Sequence, residues 1–149
     1  MPPKGYGDLA FVEHFISSLN DKGKMGVVLP HGVLFRGGSE GQIRTRMIQE
    51  DLIEAVIGLA PNLFYGASIP ACILDINNNK KSDRKGKILI INAAGEYVDN
   101  KAKNALSEEN VAKISSAFKA YEDAERFARV VDTAEIVKND YNLNLTRYV

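Results

Sequence analysis

Several residue types are scarce in this chain of 149 residues, and each scarcity excludes a class of protein. Tryptophan is absent, and the only cysteine, Cys72, lies in an apolar run, which excludes an internal disulfide and predicts a buried, inert thiol in a reduced, cytoplasmic setting. The two histidines, His14 and His31, have no carboxylate pair at ligand spacing, so no metal site is predicted. No apolar stretch approaches the roughly 20 residues that span a bilayer, and the N-terminus lacks a signal peptide's apolar run. The sequence therefore predicts a soluble, unexported protein with no membrane contact.

The chain also lacks an excess of positive or negative charge. Nineteen lysines and arginines balance nineteen aspartates and glutamates, so no net field would hold the chain on a nucleic-acid backbone. Any contact with DNA would have to be local or supported by other chains. The content of 45% hydrophobic and 26% charged residues is that of a globular domain with a real core.

Short apolar runs alternate with helical patterns in the first half of the chain, which favours an α/β fold with a mainly parallel sheet. The first apolar run has the continuous character of a strand covered on both faces. The last two runs, separated by a polar and basic segment, predict a hairpin with a long exposed tip. The predicted strands are residues 25–29, 53–59, 71–76 and 87–92. Four helices are predicted. The first follows Asp8, the second spans 42–50, and the third and fourth follow the N-caps Ser107 and Asp132, with a capping box between Asp132 and Glu135.

These strands are few for the fold class, and the first element is a helix with no strand before it. The chain therefore looks like the later part of a larger α/β domain. Strand 25–29 should lie beside a strand that the chain does not contain, and its unpaired backbone groups predict self-association through this edge. The Asn-rich tail, 139–149, is predicted to be extended.

Two segments suggest a site. Residues 29–38 follow a buried strand at its carboxyl end, where open α/β sheets bind ligands, although the glycines at 37, 38 and 41 match no phosphate-binding loop and favour a flexible loop. Residues 61–70 form a loop that carries the adjacent aromatics Phe64 and Tyr65. From spacing alone, these rings either pack within the loop or form a platform on which a nucleobase stacks.

Four segments carry a resemblance to a known family: 27–37 (VVLPHGVLFRG), 62–66 (NLFYG), 69–74 (IPACIL) and 139–144 (NDYNLN) with 147–149. They closely resemble the modification (M) subunit of type I restriction–modification systems, a family of adenine-N6 DNA methyltransferases. The resemblance implies the C-terminal half of a Rossmann-like S-adenosylmethionine-dependent methyltransferase fold, with a β-hairpin and a helical C-terminal tail. Residues 1–100 would belong to the catalytic domain and 101–149 to a helical C-terminal region.

The resemblance also implies that the motifs for methyl transfer lie elsewhere. The family's glycine-rich S-adenosylmethionine loop and its Asn-Pro-Pro-Phe motif have no counterpart in these residues, since Pro2 and Pro3 lack the flanking Asn and aromatic. We therefore expect the intact family to methylate adenine N6 and these residues alone to be inactive. What this segment can supply is the opposite wall of the pocket, with Phe64, and secondarily Tyr65, stacking on the flipped adenine. The turn Pro30-His31-Gly32 would shape the pocket floor.

The resemblance further implies DNA, a specificity subunit and a restriction subunit as partners. Cations that could contact DNA phosphates, or simply be solvated, are Arg36, Arg44, Arg46, Lys80 and Lys81, with Arg84 and Lys85 beside the last two. The alternative function is a non-catalytic interaction module that docks the specificity subunit through the helix after Ser107 and the tail with Tyr141 and Tyr148. An unrelated small nucleotide-binding protein is a third possibility.

Overall fold

The computed structural model describes residues 14, 23–63, 69–100 and 103–149. The strands are β1 (Lys24–Pro30), β2 (Ile53–Leu59), β3 (Ala71–Asn77), β4 (Lys87–Ala93), β5 (Val98–Asn100), β6 (Lys103–Ala105) and β7 (Ala128–Asp132). The helices are α1 (Gly38–Gln49), α2 (Glu108–Ala120) and α3 (Thr133–Lys138), with short 3-10 turns at His31–Leu34, Ser82–Arg84 and Leu145–Arg147. His14 is helical, but the rest of the helix predicted after Asp8 lies outside the described residues.

The main sheet has five strands in the order β1-β3-β2-β4-β7. Strands β1, β2 and β4 run in one direction, while β3 and β7 run in the other. Among the described strands, β2 and β4 are the only parallel neighbours, so the prediction of a mainly parallel sheet is wrong. The reason is that β3 returns antiparallel and inserts between β1 and β2.

The predicted hairpin of the third and fourth strands is also wrong. Strand β2 lies between β3 and β4 and is hydrogen-bonded to both. The linker 78–86 spans this extra strand instead of making a tight turn, because β3 already has a partner on each side. The basic residues of the linker consequently sit at a crossover and not at a hairpin tip.

The two faces of the sheet carry different layers. On one face, α1 and the C-terminal tail pack on the sheet around a core that includes Ile43, Met47 and Val56. On the other, α2 packs over β2 and β4. Strand β2 is buried along its whole length, whereas β1 alternates and leaves Val28 half-exposed. The prediction that the first strand is covered on both faces is therefore wrong.

The C-terminal tail is folded onto the core, which corrects the predicted extended tail. Leu143, Leu145 and Tyr148 are buried in the first core, and the Leu143 N–H donates to Leu34 O at 2.8 Å. A Cβ on Gly58 of β2 would overlap the Leu145 side chain, so the tail reaches the central strand only because that residue is glycine. Polar asparagines between the apolar residues had obscured this packing in the sequence.

The C-terminal region also holds a strand that the sequence pattern does not predict. Strand β7 pairs with β4 in the main sheet although it lies beyond residue 100, and the division of the chain at that residue stays a prediction. Helix α2 begins after the expected N-cap, since Ser107 Oγ accepts from the Asn110 N–H at 3.1 Å. Helix α3 follows Asp132 but has no capping box, because Glu135 instead pairs with Arg129 at 2.6 Å. None of the helices in the described residues is long and apolar enough to cross a membrane.

Candidate active-site edge

The carboxyl ends of β1, β2 and β4 meet at one edge of the sheet, and the two segments singled out from the sequence lie together there. The β1–β3 ladder ends at the pair Pro30 and Ala71, and the His31 N–H donates to Pro70 O at 3.1 Å. This hydrogen bond joins the turn after β1 to the end of the 61–70 loop. Phe64 and Tyr65, the predicted stacking residues, lie in segment 64–68, outside the described residues.

The turn Pro30-His31-Gly32 is closely packed. His31 is half-buried, its ring contacts that of Phe35 edge to face at 5.6 Å, and burial lowers its pKa below the ordinary value of 6.5. Burial thus favours the neutral form of the imidazole. A Cβ at Gly32 would meet the guanidinium of Arg36, so a side chain at this position would displace Arg36 from its place across the turn.

Arg36 is in turn paired with a buried carboxylate that sequence reasoning missed. Arg36 Nη1 lies 3.3 Å from Glu40 Oε2, and Glu40 is almost fully buried. The other carboxylate oxygen of Glu40 has no hydrogen-bond partner. The only signal in the sequence was the i, i+4 spacing of the two charges, which is common on exposed helices.

Arg44 is buried and stabilises the fold. It is 5% exposed, and it donates to the carbonyls of Val33 and Arg36 at 2.9 and 2.8 Å and to Tyr141 O at 2.9 Å. Burial lowers the pKa of Arg44, and the Glu40 carboxylate opposes that shift. Because Nε and Nη1 donate to backbone carbonyls, Arg44 has a structural role here, and its contact with DNA phosphates stays a prediction.

Lys80 is likewise held by internal contacts. Its ammonium is buried and donates to Asp51 Oδ1 at 2.7 Å and to Lys87 O at 2.8 Å. Lys81 is exposed, but both residues belong to the linker at the amino ends of β2 and β4. A seven-residue strand is about 20 Å long, so this linker is a strand's length from the candidate edge.

Arg84, on the same linker, is also held internally. It pairs with the buried Glu54 at 3.0 Å, and its guanidinium lies 4.4 Å from the Tyr121 ring centroid. Of the predicted phosphate contacts, Arg36 is the one placed at the candidate edge, and Arg46 is exposed on α1. Their roles stay predictions.

A β-ribbon that sequence reasoning missed borders the loop. Strands β5 and β6 form a separate two-stranded sheet beyond the end of β4. From β6, Asn104 donates its backbone N–H to Asn62 O at 2.7 Å and its side-chain Nδ2 to Pro61 O at 2.8 Å. Segment 98–105 lacks the apolar alternation by which strands are detected in a sequence.

The remaining candidate groups have structural explanations. Cys72 is completely buried, and burial raises the pKa of its thiol to about 12, as expected for an inert cysteine. Within the described ranges, no three His, Cys, Asp or Glu side chains are grouped as metal ligands would be.

Comparison with known proteins identifies the family. The model of the N-6 DNA Methylase family matches residues 1–149. The chain belongs to the N-6 DNA methylase family. Among curated relatives of the chain, the type I restriction enzyme MjaVIII methylase subunit of Methanocaldococcus jannaschii is 48% identical over 99% of the chain and 26% of its own length. The MpnII methylase subunit of Mycoplasma pneumoniae is 34% identical over the whole chain and 27% of its own length.

Solved structures agree with this assignment. A type I restriction-modification methyltransferase subunit from Streptococcus thermophilus superposes with a TM-score of 0.93 at 40% identity, covering 99% of this chain and 31% of that protein. The EcoKI M protein shares the fold, with a TM-score of 0.69 at 17% identity over 93% of this chain and 36% of its own. The fold is therefore that of a Rossmann-like methyltransferase, and the chain spans about a quarter of the length of the curated relatives it matches.

Proposed function

We propose that these residues form the later part of the catalytic domain of a type I restriction–modification methyltransferase subunit, which methylates adenine N6 in DNA. The observation that carries the proposal is the 48% identity to a type I methylase subunit over almost the whole chain. The hydrogen bond between His31 and Pro70 supports it, because it brings the turn after β1 to the loop on which the family resemblance places the base-stacking ring.

The proposed reaction requires adenine to leave the duplex, because its amino group is otherwise inaccessible to an enzyme. The flipped base then needs an apolar surface on one side. Phe64, with Tyr65 second, would supply that surface, and stacking of a base on an aromatic ring contributes about 1–3 kcal/mol. Pro30, His31 and Gly32 would form the floor, where burial lowers the pKa of His31 and so favours its uncharged form.

S-adenosylmethionine supplies the methyl group in this family. The described residues at the candidate edge fit that cofactor poorly. Gly32 is covered by the Arg36 guanidinium, and the His31 N–H is already donated to Pro70 O. We assign no cofactor-binding residue to this part of the chain.

DNA and the specificity and restriction subunits are the proposed partners, and the cytoplasm is the proposed compartment. Arg36 and Arg46 are the cations proposed to approach DNA phosphates near the site. A protein of zero net charge gains little non-specific attraction to DNA, so most of the electrostatic affinity would come from other parts of the assembly.

Methyl transfer to duplex DNA by the methyltransferase assembly that contains this chain tests the proposal. Phe64→Ala should lower the rate of transfer about 10- to 100-fold, as expected from the loss of a stacked base. Tyr97→Ala, which removes an exposed aromatic outside the loop, is the matched control and should leave the rate unchanged. Equal losses in the two variants, or transfer to a base other than adenine, would count against the proposal.

The isolated 149-residue chain provides a second test. Calorimetry should detect no micromolar binding of S-adenosylmethionine, because the glycine-rich loop and the Asn-Pro-Pro-Phe motif are not among these residues. Micromolar binding would show that the cofactor-binding residues are wrongly assigned to another part of the subunit.

A second candidate function is docking of the specificity subunit, and an apolar groove beside α2 favours it. The groove has a volume of about 420 Å³ and is lined by Val28, Ile73, Val111 and Phe118, among others. Val111 is half-exposed, whereas Tyr148 of the tail is buried, so α2 suits a docking role better than the tail does. Val111→Glu should weaken capture of the specificity subunit, and the exposed but distant Val137→Glu should not.

A further inference from the structure

The entry to the 61–70 loop is held by one residue of the β-ribbon. Asn104 uses both its backbone N–H and its side-chain amide, on the consecutive carbonyls of Asn62 and Pro61. These bonds, at 2.7 and 2.8 Å, are at the short end of the range for N–H donors, and Asn104 is partly buried. The ribbon strands themselves are largely exposed, so this contact is a specific attachment and not part of a core.

The turn that Asn104 holds has a strained backbone. Asn62 has a φ of +58°, a left-handed conformation that asparagine tolerates better than most residues but that costs free energy outside glycine. Such a conformation persists where surrounding contacts fix it, and Asn104 supplies two contacts to its carbonyls. At the far end of the loop, Pro70 O is fixed by the His31 N–H. The loop is therefore anchored at both ends by elements outside it.

We propose that Asn104 is a positioning residue for methyl transfer. It fixes the Pro61-Asn62 turn, and Asn62 precedes Phe64 by two residues in the sequence. The inference deepens the proposed function and rests on it. Because a misplacement of about 1 Å can reduce a reaction rate about 100-fold, an anchor close to Phe64 in the sequence can affect the rate without touching the substrate.

The attachment can be tested without any activity. The chain has no tryptophan, so Phe64→Trp introduces a unique fluorescent reporter at the loop. In that background, Asn104→Ala removes the bond to Pro61 and should raise the rate constant for acrylamide quenching about twofold. Asn100→Ala, which removes an exposed amide from the same ribbon, should not change the quenching. Equal quenching in the two variants would overturn the inference.

The catalytic consequence is tested by a double-mutant cycle in the complete methyltransferase assembly. Asn104→Ala should lower kcat for adenine methylation about tenfold, with the KM for DNA changed less than twofold. In the Phe64→Ala background, the same change should have little further effect, because a residue that acts through Phe64 has nothing left to position.

The outcomes separate the inference from the proposed function. A loss that is as large without Phe64 as with it would show a merely structural role and overturn the inference, as would an unchanged kcat. An unmodified assembly that methylates no adenine would overturn the proposed function, and the inference with it, whatever the quenching experiment shows.

Discussion

At the scale of single residues, Asp75 on β3 carries a titratable group that works against the fold. Burial, with a smaller contribution from the neighbouring Glu54, raises the pKa of its carboxyl from 3.8 to about 6, although Lys24 and Arg84 act in the opposite direction. Because the folded-state pKa lies above the unfolded one, the folded state binds the proton more tightly. The stabilisation that the protonated Asp75 contributes is complete below about pH 4 and is lost as the pH rises through 6.

We therefore expect Asp75→Asn to stabilise the protein at pH 7.5 and not at pH 4. The gain in free energy of unfolding at pH 7.5 should be about 1–2 kcal/mol, less than the full pKa shift implies because the residue is partly exposed. Urea unfolding of both proteins at the two pH values measures it. The same difference at both values would contradict the predicted ionisation.

Lys80 and Lys81 are adjacent in the sequence but should behave differently when substituted. Lys80→Gln should lower the free energy of unfolding by about 2–4 kcal/mol, because it leaves Asp51 without its buried cation and Lys87 O without a donor. Lys81→Gln, at an exposed position, should leave stability unchanged. Chemical unfolding of the two variants measures this difference in stability. A Lys80 variant as stable as the Lys81 variant would contradict the structural role of Lys80.

This pair also shows what the sequence cannot predict at the residue scale. Both lysines lie in one polar run, and both were equally good candidates for phosphate contact. The carboxylate that distinguishes them is Asp51, which is 29 residues away in the chain. Local pattern carries no information about such a partner. The burial of Cys72 was predictable because its neighbours in the sequence are apolar.

At the scale of elements, the tail is attached to the sheet through Gly58. Gly58→Ala would place a methyl group where Leu145 packs, and overpacking of this kind costs about 1–3 kcal/mol. We expect loss of stability together with faster hydrogen exchange of the Leu143 amide, which is bonded to Leu34 O in the intact tail. Gly26→Ala on β1 is the control, since its Cβ would lie 3.9 Å from the nearest side-chain atom. Similar exchange in both variants would argue against this attachment.

Individual elements were predicted better than their neighbours in space. The bounds of β2 are those expected, because an uninterrupted apolar run marks a fully buried strand. The prediction of a hairpin was wrong because the pairing of β3 with both β1 and β2 depends on contacts that no local sequence pattern indicates. Strand β7 was missed because only Ala128 and Val131 are buried in it. At the candidate edge, the turn after β1 was found, whereas Glu40 and Asn104 were not. The spacing of Glu40 from Arg36 is common on exposed helices, and Asn104 lies in a segment without apolar alternation.

At the scale of the whole molecule, β1 forms one edge of the five-stranded sheet. Among the described residues, β3 is the only strand hydrogen-bonded to β1. The side chain of Val28 on β1 is 50% exposed. An edge strand with an apolar surface favours pairing with another chain, and a net charge of zero provides no long-range repulsion against it.

The isolated chain should consequently self-associate through β1. Light scattering should give a molar mass that rises with protein concentration above the 16.4 kDa of the monomer. Val28→Lys should shift the equilibrium toward the monomer, because a lysine on an edge strand disfavours pairing with another chain. Val137→Lys adds the same charge at a valine that is 46% exposed on α3, away from β1, and should leave the association unchanged. A monomer at every concentration, or equal effects of the two lysines, would show that β1 is not the interface and that its edge is protected within the chain.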